Sequence, residues 1–242
     1  MTVAKDRLET GFVDGLRWEH GVGESLQPWI EFDDERRFEL GSWLGAQLTL
    51  RHAGKLRCPH CGRATKKSFS QGYCFPCFKK LARCDLCIVS PTRCHRAQGT
   101  CREPDWADRF CMSPHLVYLA NSSGLKVGLT RGNNELNRWA DQGASQGLVI
   151  AECDTRIAAG ALEALIAERH SDRTDWRKLV RGPAEPLDLI TLREQVKAEL
   201  DGVPDGVRWV ERNPVTLTYP VLDYGPVKSR NLDKEQAIEG TV

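Results

Sequence analysis

Apolar and polar positions alternate in short blocks over residues 115–170, and these blocks predict a run of five elements. Apolar stretches at 116–120 and 125–129 flank the polar turn NSSG and predict a β-hairpin. The next amphipathic stretch predicts a helix that stops at Gly143, because glycine commonly follows the last helical turn. GLVIAEC then predicts a buried strand, and RIAAGALEALIAERH predicts a second helix. The expected order is strand, strand, helix, strand, helix.

The second of these helices carries a carboxylate among small residues. Helical periodicity places Ile157, Ala161, Leu162 and Leu165 on the face expected to contact the core. Glu163 has glycine and alanine three and four residues before it, alanine four residues after it, and no basic residue one turn away. It is therefore either a solvated helix residue or a functional carboxylate with space left beside it.

The sequence on either side predicts further β structure. The first 50 residues hold three tryptophans and β-like stretches such as AQLTLRH, which predict a small sheet under the cysteine-rich segment. A helix is expected over about 187–200, followed by strands in VRWV and VTLTYPVL, the latter at a sheet edge because of Pro220. The predicted class is α+β in four segments: a small β region (1–56), a cysteine module (57–112), a ββαβα core (113–181) and a C-terminal helix with strands (182–242).

Nine of the ten cysteines lie between residues 58 and 111. The chain shows no signal peptide and no stretch apolar enough for a membrane helix, so we expect a cytoplasmic protein with no membrane partner. Thiols stay reduced in the cytoplasm, which favours metal binding over disulfides, and a redox CxxC would lie beside a βαβ pattern that is lacking here. The first four cysteines form two CxxC pairs twelve residues apart, which predicts a structural zinc site at Cys58, Cys61, Cys74 and Cys77.

A second group of cysteines follows directly and offers more ligands than one tetrahedral site holds. Cys111 and His95 compete with the preferred set, and an iron–sulfur cluster would use the same type of ligand. We expect a second structural zinc, so that the protein holds two zinc ions. The preferred ligands of the second ion are Cys84, Cys87, Cys94 and Cys101.

Positive charge is concentrated in the cysteine-rich segment. The chain as a whole has a net charge of +1, but residues 51–112 hold thirteen Lys and Arg against four Asp and Glu, a surplus of nine. Clustered Lys and Arg attract the phosphate backbone of DNA or RNA whatever its base sequence. The segment therefore predicts a nucleic-acid partner, unless the charges only solvate a small domain.

The motifs VYLA, LKVGLTR, NRW and ALEALI, in this order and spacing, resemble the core of the GIY-YIG nucleases. The resemblance covers about 65 residues and implies three roles in cutting phosphodiesters. Tyr118 would help to activate water, Arg138 would steady the phosphate, and Glu163 would hold one Mg²⁺ or Mn²⁺ ion. With the cysteines and the string GTCREPDW, most of the chain also resembles a catalogued domain family of unknown function, which implies a shortened C-terminus here.

The chain departs from the GIY-YIG pattern at two places. Lys126 stands where many members have a second tyrosine; it could bind phosphate but is a poor substitute for a phenol. Where a later asparagine often stands, only Asp172 and Asp175 are found. Two function classes stay open: a metal-dependent endonuclease with zinc, and a non-catalytic nucleic-acid or ribonucleoprotein binding protein with a degenerate core. A protein-interaction scaffold held by zinc is the third alternative.

Overall fold

The computed structural model describes residues 8–20, 25–170, 173–231 and 234–242, and the chain forms two compact units. The first unit runs up to Phe78 and includes Thr218–Val242; the second is Lys79–Leu217. The cysteine-rich segment thus contributes to both units, while the four-segment division stays a prediction. Within the described residues, no helix has the length and apolar character required to cross a membrane.

The described elements are numbered in chain order. The strands are β1 (Val13–Glu19), β2 (Gln27–Phe32), β3 (Arg37–Glu39), β4 (Gln47–Arg51), β5 (Leu56–Arg57), β6 (Ala64–Thr65), β7 (His115–Asn121), β8 (Leu125–Arg131), β9 (Gln146–Cys153), β10 (Val207–Trp209), β11 (Val215–Thr216) and β12 (Ala237–Thr241). The helices are α1 (Phe75–Lys80), α2 (Pro104–Phe110), α3 (Glu135–Asp141), α4 (Arg156–Ala167), α5 (Trp176–Leu179) and α6 (Leu189–Glu199). The α+β class and the predicted order strand, strand, helix, strand, helix are confirmed.

The described residues of the first unit form three small antiparallel sheets. Strands β1, β2 and β3 form one sheet, and its apolar residues Phe32 and Phe38 pack with Trp43, whose ring centroid lies 5.4 Å from that of Phe38. Strand β4 pairs along its whole length with β12, so the strand predicted in AQLTLRH has its partner near the other end of the chain. Strands β5 and β6 form a short hairpin that carries the first cysteines.

The second unit is built on one sheet in the order β10-β9-β7-β8, with β11 also paired to β9. Every residue of β7 is buried, because the strand lies inside the sheet and both of its faces are covered. Side chains alternate between the two faces. Val117 and Leu119 belong to the core cluster that also includes residues of α4 and α6, whereas Tyr118 contacts Trp139 of α3.

The buried face of α4 differs from the predicted one. Leu162 is fully buried as expected, but Leu165 is 37% exposed. The cause is close packing against the cysteine-rich segment: a Cβ on Gly160 would lie 2.4 Å from Cβ of Pro91. Small residues let the backbone of α4 approach Pro91 closely, so the buried side of α4 is centred on these small residues. Its remaining buried residues are Ala158, Ala159, Gly160 and Ile166.

Candidate functional site

The first CxxC pair lies at the tip of the β5–β6 hairpin. The backbone N–H of Cys58 donates to the carbonyl of Arg63 at 2.9 Å, and the N–H of Gly62 donates to the carbonyl of Cys58 at 2.9 Å. Gly62 has φ +68°, a left-handed conformation that glycine adopts without strain. This turn holds the first two thiols on the same side of the hairpin tip.

The second CxxC pair lies at the start of α1. Cys74 directly precedes the helix and accepts from the N–H of Phe78 at 2.9 Å, while Cys77 belongs to the first helical turn. A β-bridge between Phe69 and Tyr73 closes the loop before it. The CxxC spacing here therefore corresponds to about one turn of helix, which brings the third and fourth thiols together.

The four thiols form one cluster with the dimensions of a zinc site. Their sulfur atoms all lie within 4.8 Å of one another, and Sγ of Cys61 is 3.7 Å from Sγ of Cys74. A tetrahedron with zinc–sulfur bonds of about 2.3 Å has edges of about 3.8 Å. Four sulfur donors at this spacing fit a structural zinc ion, and the group consists of Cys58, Cys61, Cys74 and Cys77.

The pKa values inside this cluster are spread apart. Burial raises the pKa of the Cys58 thiol, but hydrogen bonds from the backbone at Cys74, Cys61 and His60 outweigh it and lower the pKa to about 6. Burial and side-chain hydrogen bonds to the other three thiols raise the pKa of Cys77 to about 12.

The later cysteine-rich segment contains a second group of possible ligands. Among the described residues, the second group of ligand atoms within 4.8 Å of one another consists of Asp85, Cys87 and His95. Cys84 is buried at the end of a short 3₁₀ helix and is not part of this group, and neither is the half-buried pair Cys94 and Cys101. The four-cysteine set for a second zinc stays a prediction.

Tyr118 is fully buried in a close-packed position on β7. It pairs with Gly128 on β8, where a Cβ would lie 2.5 Å from the phenol oxygen, and its ring meets Trp139 edge-on at 5.9 Å. Lys126 pairs with Ala120, two residues along from this pair. Because side chains alternate along a strand, Tyr118 and Lys126 belong to the same face of the sheet.

The phenol of Tyr118 is connected to the guanidinium of Arg138 through Gln142. The Gln142 amide satisfies both neighbours when its oxygen faces Arg138, accepting from Nε at 3.0 Å and from Nη2 at 3.3 Å, and its nitrogen then donates to the phenol oxygen at 3.1 Å. Arg138 and Gln142 lie four residues apart, one helical turn, at the exposed end of α3. A buried phenol is thereby tied to an exposed cation.

A charge on α4 acts on the same phenol. Burial raises the pKa of Tyr118; Arg138 and Gln142 oppose the shift, and the negative charge of Glu163 adds to it. Burial also lowers the pKa of Arg156, and Glu163 acts in the opposite direction. Arg156 and Glu163 lie seven residues apart, two turns, and therefore share a face of α4. The structure thus brings Tyr118, Arg138 and Glu163 into one electrostatic neighbourhood.

The structure describes one of the two aspartates that stand where GIY-YIG nucleases often have an asparagine. Asp172 lies outside the described residues. Asp175 caps α5, where its Oδ1 accepts from the backbone N–H of Arg177 at 3.0 Å, and its own N–H donates to Oγ of Ser123 at 2.8 Å. These contacts give Asp175 a structural role at the start of a helix.

Sequence reasoning missed three residues of these clusters. Gln142 could have been found from its position one turn after Arg138, and Asp85 from its place between Cys84 and Cys87. Arg156 is a cation in the first turn of α4, where the helix dipole disfavours positive charge. A basic residue at such a position is a signal that another interaction holds it there.

Residues 45–242 match the family model described as protein of unknown function (DUF2797). The chain belongs to this family. The DUF2797 match covers both cysteine groups and all of β7 to α4, and it leaves out strands β1, β2 and β3. Neither the curated proteins nor the solved structures contain a match to the chain.

Proposed function

We propose that this DUF2797 chain is a zinc-containing nucleic-acid-binding protein and a GIY-YIG-type endonuclease that cuts phosphodiesters. One observation carries the proposal: Arg138 on α3 and Glu163 on α4, which are far apart in sequence, both act electrostatically on the buried phenol of Tyr118. They are the three positions to which the nuclease resemblance assigns roles. Arg138 supplies an exposed positive charge for the phosphate, and the half-buried carboxylate of Glu163 supplies a ligand for a divalent ion beside it.

The charges of the cluster suit a phosphodiester with one divalent ion. The exposed guanidinium of Arg138 supplies a fork that matches phosphate oxygens, and Lys126, on the same sheet face as Tyr118, supplies a second cation. Glu163 would hold Mg²⁺ or Mn²⁺, which supplies Lewis acidity at the phosphoryl oxygen. The ordinary pKa of a tyrosine is about 10 and burial raises that of Tyr118 further, so the phenol is protonated at neutral pH and orients Arg138 through Gln142.

The four-cysteine cluster supports a nucleic-acid partner through the residues around it. Arg63, Lys66 and Lys67 are exposed between the two CxxC pairs. Phe75, in the first turn of α1, is 53% exposed. Exposed cations attract the backbone, and an exposed aromatic ring offers a platform on which a base stacks. The zinc ion would keep this basic segment folded, since it has little apolar core of its own.

A non-catalytic nucleic-acid or ribonucleoprotein binding protein is the second candidate function. The observation that favours it is the burial of Tyr118, whose side chain has no exposed surface and whose phenol is covered by Gly128 and Trp139. A phenol in this position reaches substrate only if the sheet face opens. In this alternative, Arg138 and Lys126 bind phosphate and no bond is cut.

The test is cleavage of branched, single-stranded and duplex DNA and RNA by zinc-loaded protein with added Mg²⁺ or Mn²⁺. We expect Glu163→Gln to abolish cleavage and to leave binding without added divalent ion within about twofold, because uniform binding does not need the carboxylate. Glu168→Gln is the matched control, since Glu168 is exposed just after the same helix.

Each outcome separates the function classes. Binding without cleavage, in every metal and on every substrate, would overturn the endonuclease proposal and leave the binding function. Cleavage by Glu163→Gln equal to that of the parent protein would show that the site is assigned to the wrong carboxylate. Failure to bind any nucleic acid would overturn both functions and favour a protein-interaction scaffold.

A further inference from the structure

The second cysteine group contains a cluster of three different ligand types. We propose that Asp85, Cys87 and His95 bind a second zinc ion through one carboxylate oxygen, one thiolate and one imidazole nitrogen. The three ligand atoms lie within 4.8 Å of one another, as the sulfur atoms of the four-cysteine cluster do. This set shares only Cys87 with the four-cysteine set expected from spacing. It does not depend on any nuclease activity.

The backbone orients the Asp85 carboxylate. Its Oδ1 accepts from the N–H of Leu86 at 2.6 Å and so caps a short 3₁₀ helix, Leu86–Ile88, in which Cys87 lies. Its Oδ2 lies 3.5 Å from Nε2 of His95 and accepts from Nε of Arg102 at 2.7 Å. One oxygen is thus used for the cap, and the other faces the imidazole with a guanidinium behind it.

The imidazole of His95 has a hydroxyl partner on the nitrogen that does not contact Asp85. Oγ1 of Thr100 lies 2.8 Å from Nδ1 and 3.4 Å from the backbone carbonyl of His95, to which it donates. With a proton on Nδ1, the lone pair of Nε2 is available to a metal ion. A ligating histidine is usually held in this way by a partner on its other nitrogen.

The donor set and its charge fit zinc. Sulfur, nitrogen and oxygen donors together are typical of a borderline ion such as Zn²⁺, and three protein ligands leave a fourth position open. One thiolate and one carboxylate balance the charge of the ion, whereas four thiolates would leave two negative charges in excess. Arg102 then acts as a partner of the ligating carboxylate. Its contact orients Asp85 without competing for the imidazole.

An ion-pair cluster is the alternative explanation for Asp85 and His95. In that case Arg102 and His95 would simply be cations beside a carboxylate, and Cys87 would have no role. The two explanations differ in what they require of the thiol. A metal site needs Cys87 and is indifferent to Cys84, which the spacing rule favoured equally.

The experiment is the zinc content of the full chain after dialysis, measured by elemental analysis on the parent and on single variants. We expect two zinc ions in the parent, one in Cys87→Ser and in His95→Gln, and two in Cys84→Ser. X-ray absorption at the zinc edge should give about 2.5 sulfur ligands per ion, from four in one site and one in the other.

Two further variants keep the test decisive if a ligand variant fails to fold. His95→Cys should retain two zinc ions and raise the sulfur count, because it replaces one ligand by another. Thr100→Val should lower zinc affinity at this site by about 10-fold or more through the lost partner of Nδ1. One zinc in the parent, four sulfurs per ion, or loss of zinc in Cys84→Ser but not in His95→Gln would overturn the proposal.

Discussion

Gly128→Ala tests the packing that holds Tyr118 in the candidate site. The new Cβ would lie 2.5 Å from the phenol oxygen and 2.6 Å from Cζ, whereas ordinary contacts begin at 3.4 Å, so the ring must retreat by about 0.9 Å. Tyr118 is fully buried, with the edge of Trp139 beside it, and has no solvent into which to move. Overpacking of this kind costs about 1–3 kcal/mol, partly offset by about 0.4–1 kcal/mol from reduced freedom of the unfolded chain.

The net expectation for Gly128→Ala is a loss of about 1–2 kcal/mol in the free energy of unfolding. Urea unfolding of zinc-loaded protein, followed by circular dichroism, measures it as a lower midpoint with an unchanged slope. Gly240→Ala in β12 is the control, because a Cβ there has nothing within 4 Å; it should change stability by less than about 0.5 kcal/mol.

A double-mutant cycle identifies the clashing partner of Gly128. Tyr118→Ala removes the ring, so adding Gly128→Ala to that variant should cost almost nothing or stabilise it. The coupling between the two positions should then be about 1 kcal/mol or more. Additive effects, or equal costs for Gly128→Ala and Gly240→Ala, would refute the close approach of this ring to the β8 backbone and with it the geometry of the site.

Three further predictions concern metal, charge and pH. Cys58→Ser should remove one zinc ion and unfold the segment around it, whereas Cys153→Ser, a buried thiol in β9, should leave the zinc content unchanged; equal zinc loss in both would contradict the four-cysteine site. Replacing Lys66 and Lys67 by Gln should make the plot of log affinity for duplex DNA against log salt shallower by about 1.8, since each neutralised phosphate contributes about 0.9; an unchanged slope would remove these lysines from the interface. Burial lowers the pKa of His115, so its contribution to stability is present above the ordinary pKa of about 6.5 and is lost as pH falls through the lower folded value. Urea midpoints at pH 7.5 and 5.5 should therefore converge in His115→Gln, and a pH dependence as steep as in the parent would contradict this role.

The sequence by itself determined the features that depend on neighbouring residues. The two CxxC pairs predicted the four-cysteine cluster, because each pair needs only a local turn to present two thiols. The strands β7 and β8, the end of α3 at Gly143 and the α+β class followed from apolar periodicity and glycine, which act over a few residues. Tyr118, Arg138 and Glu163 were identified through a resemblance, and periodicity located the elements that carry them.

Only the tertiary structure decided how distant segments meet. Strand β4 was predicted, but its pairing with β12 was not. The alternation of apolar and polar side chains marks a strand without naming its partner, and the two strands are far apart in sequence. The buried face of α4 is set by Gly160 against Pro91, and helical periodicity contains no information about that neighbour. Asp85 and His95 lie beside Cys87 because the cap of a short helix orients Asp85 and the hydroxyl of Thr100 contacts His95. The spacing of cysteines carries no information about ligands of other residue types. Local patterns specify elements, whereas a site built from several elements is specified by how their surfaces fit.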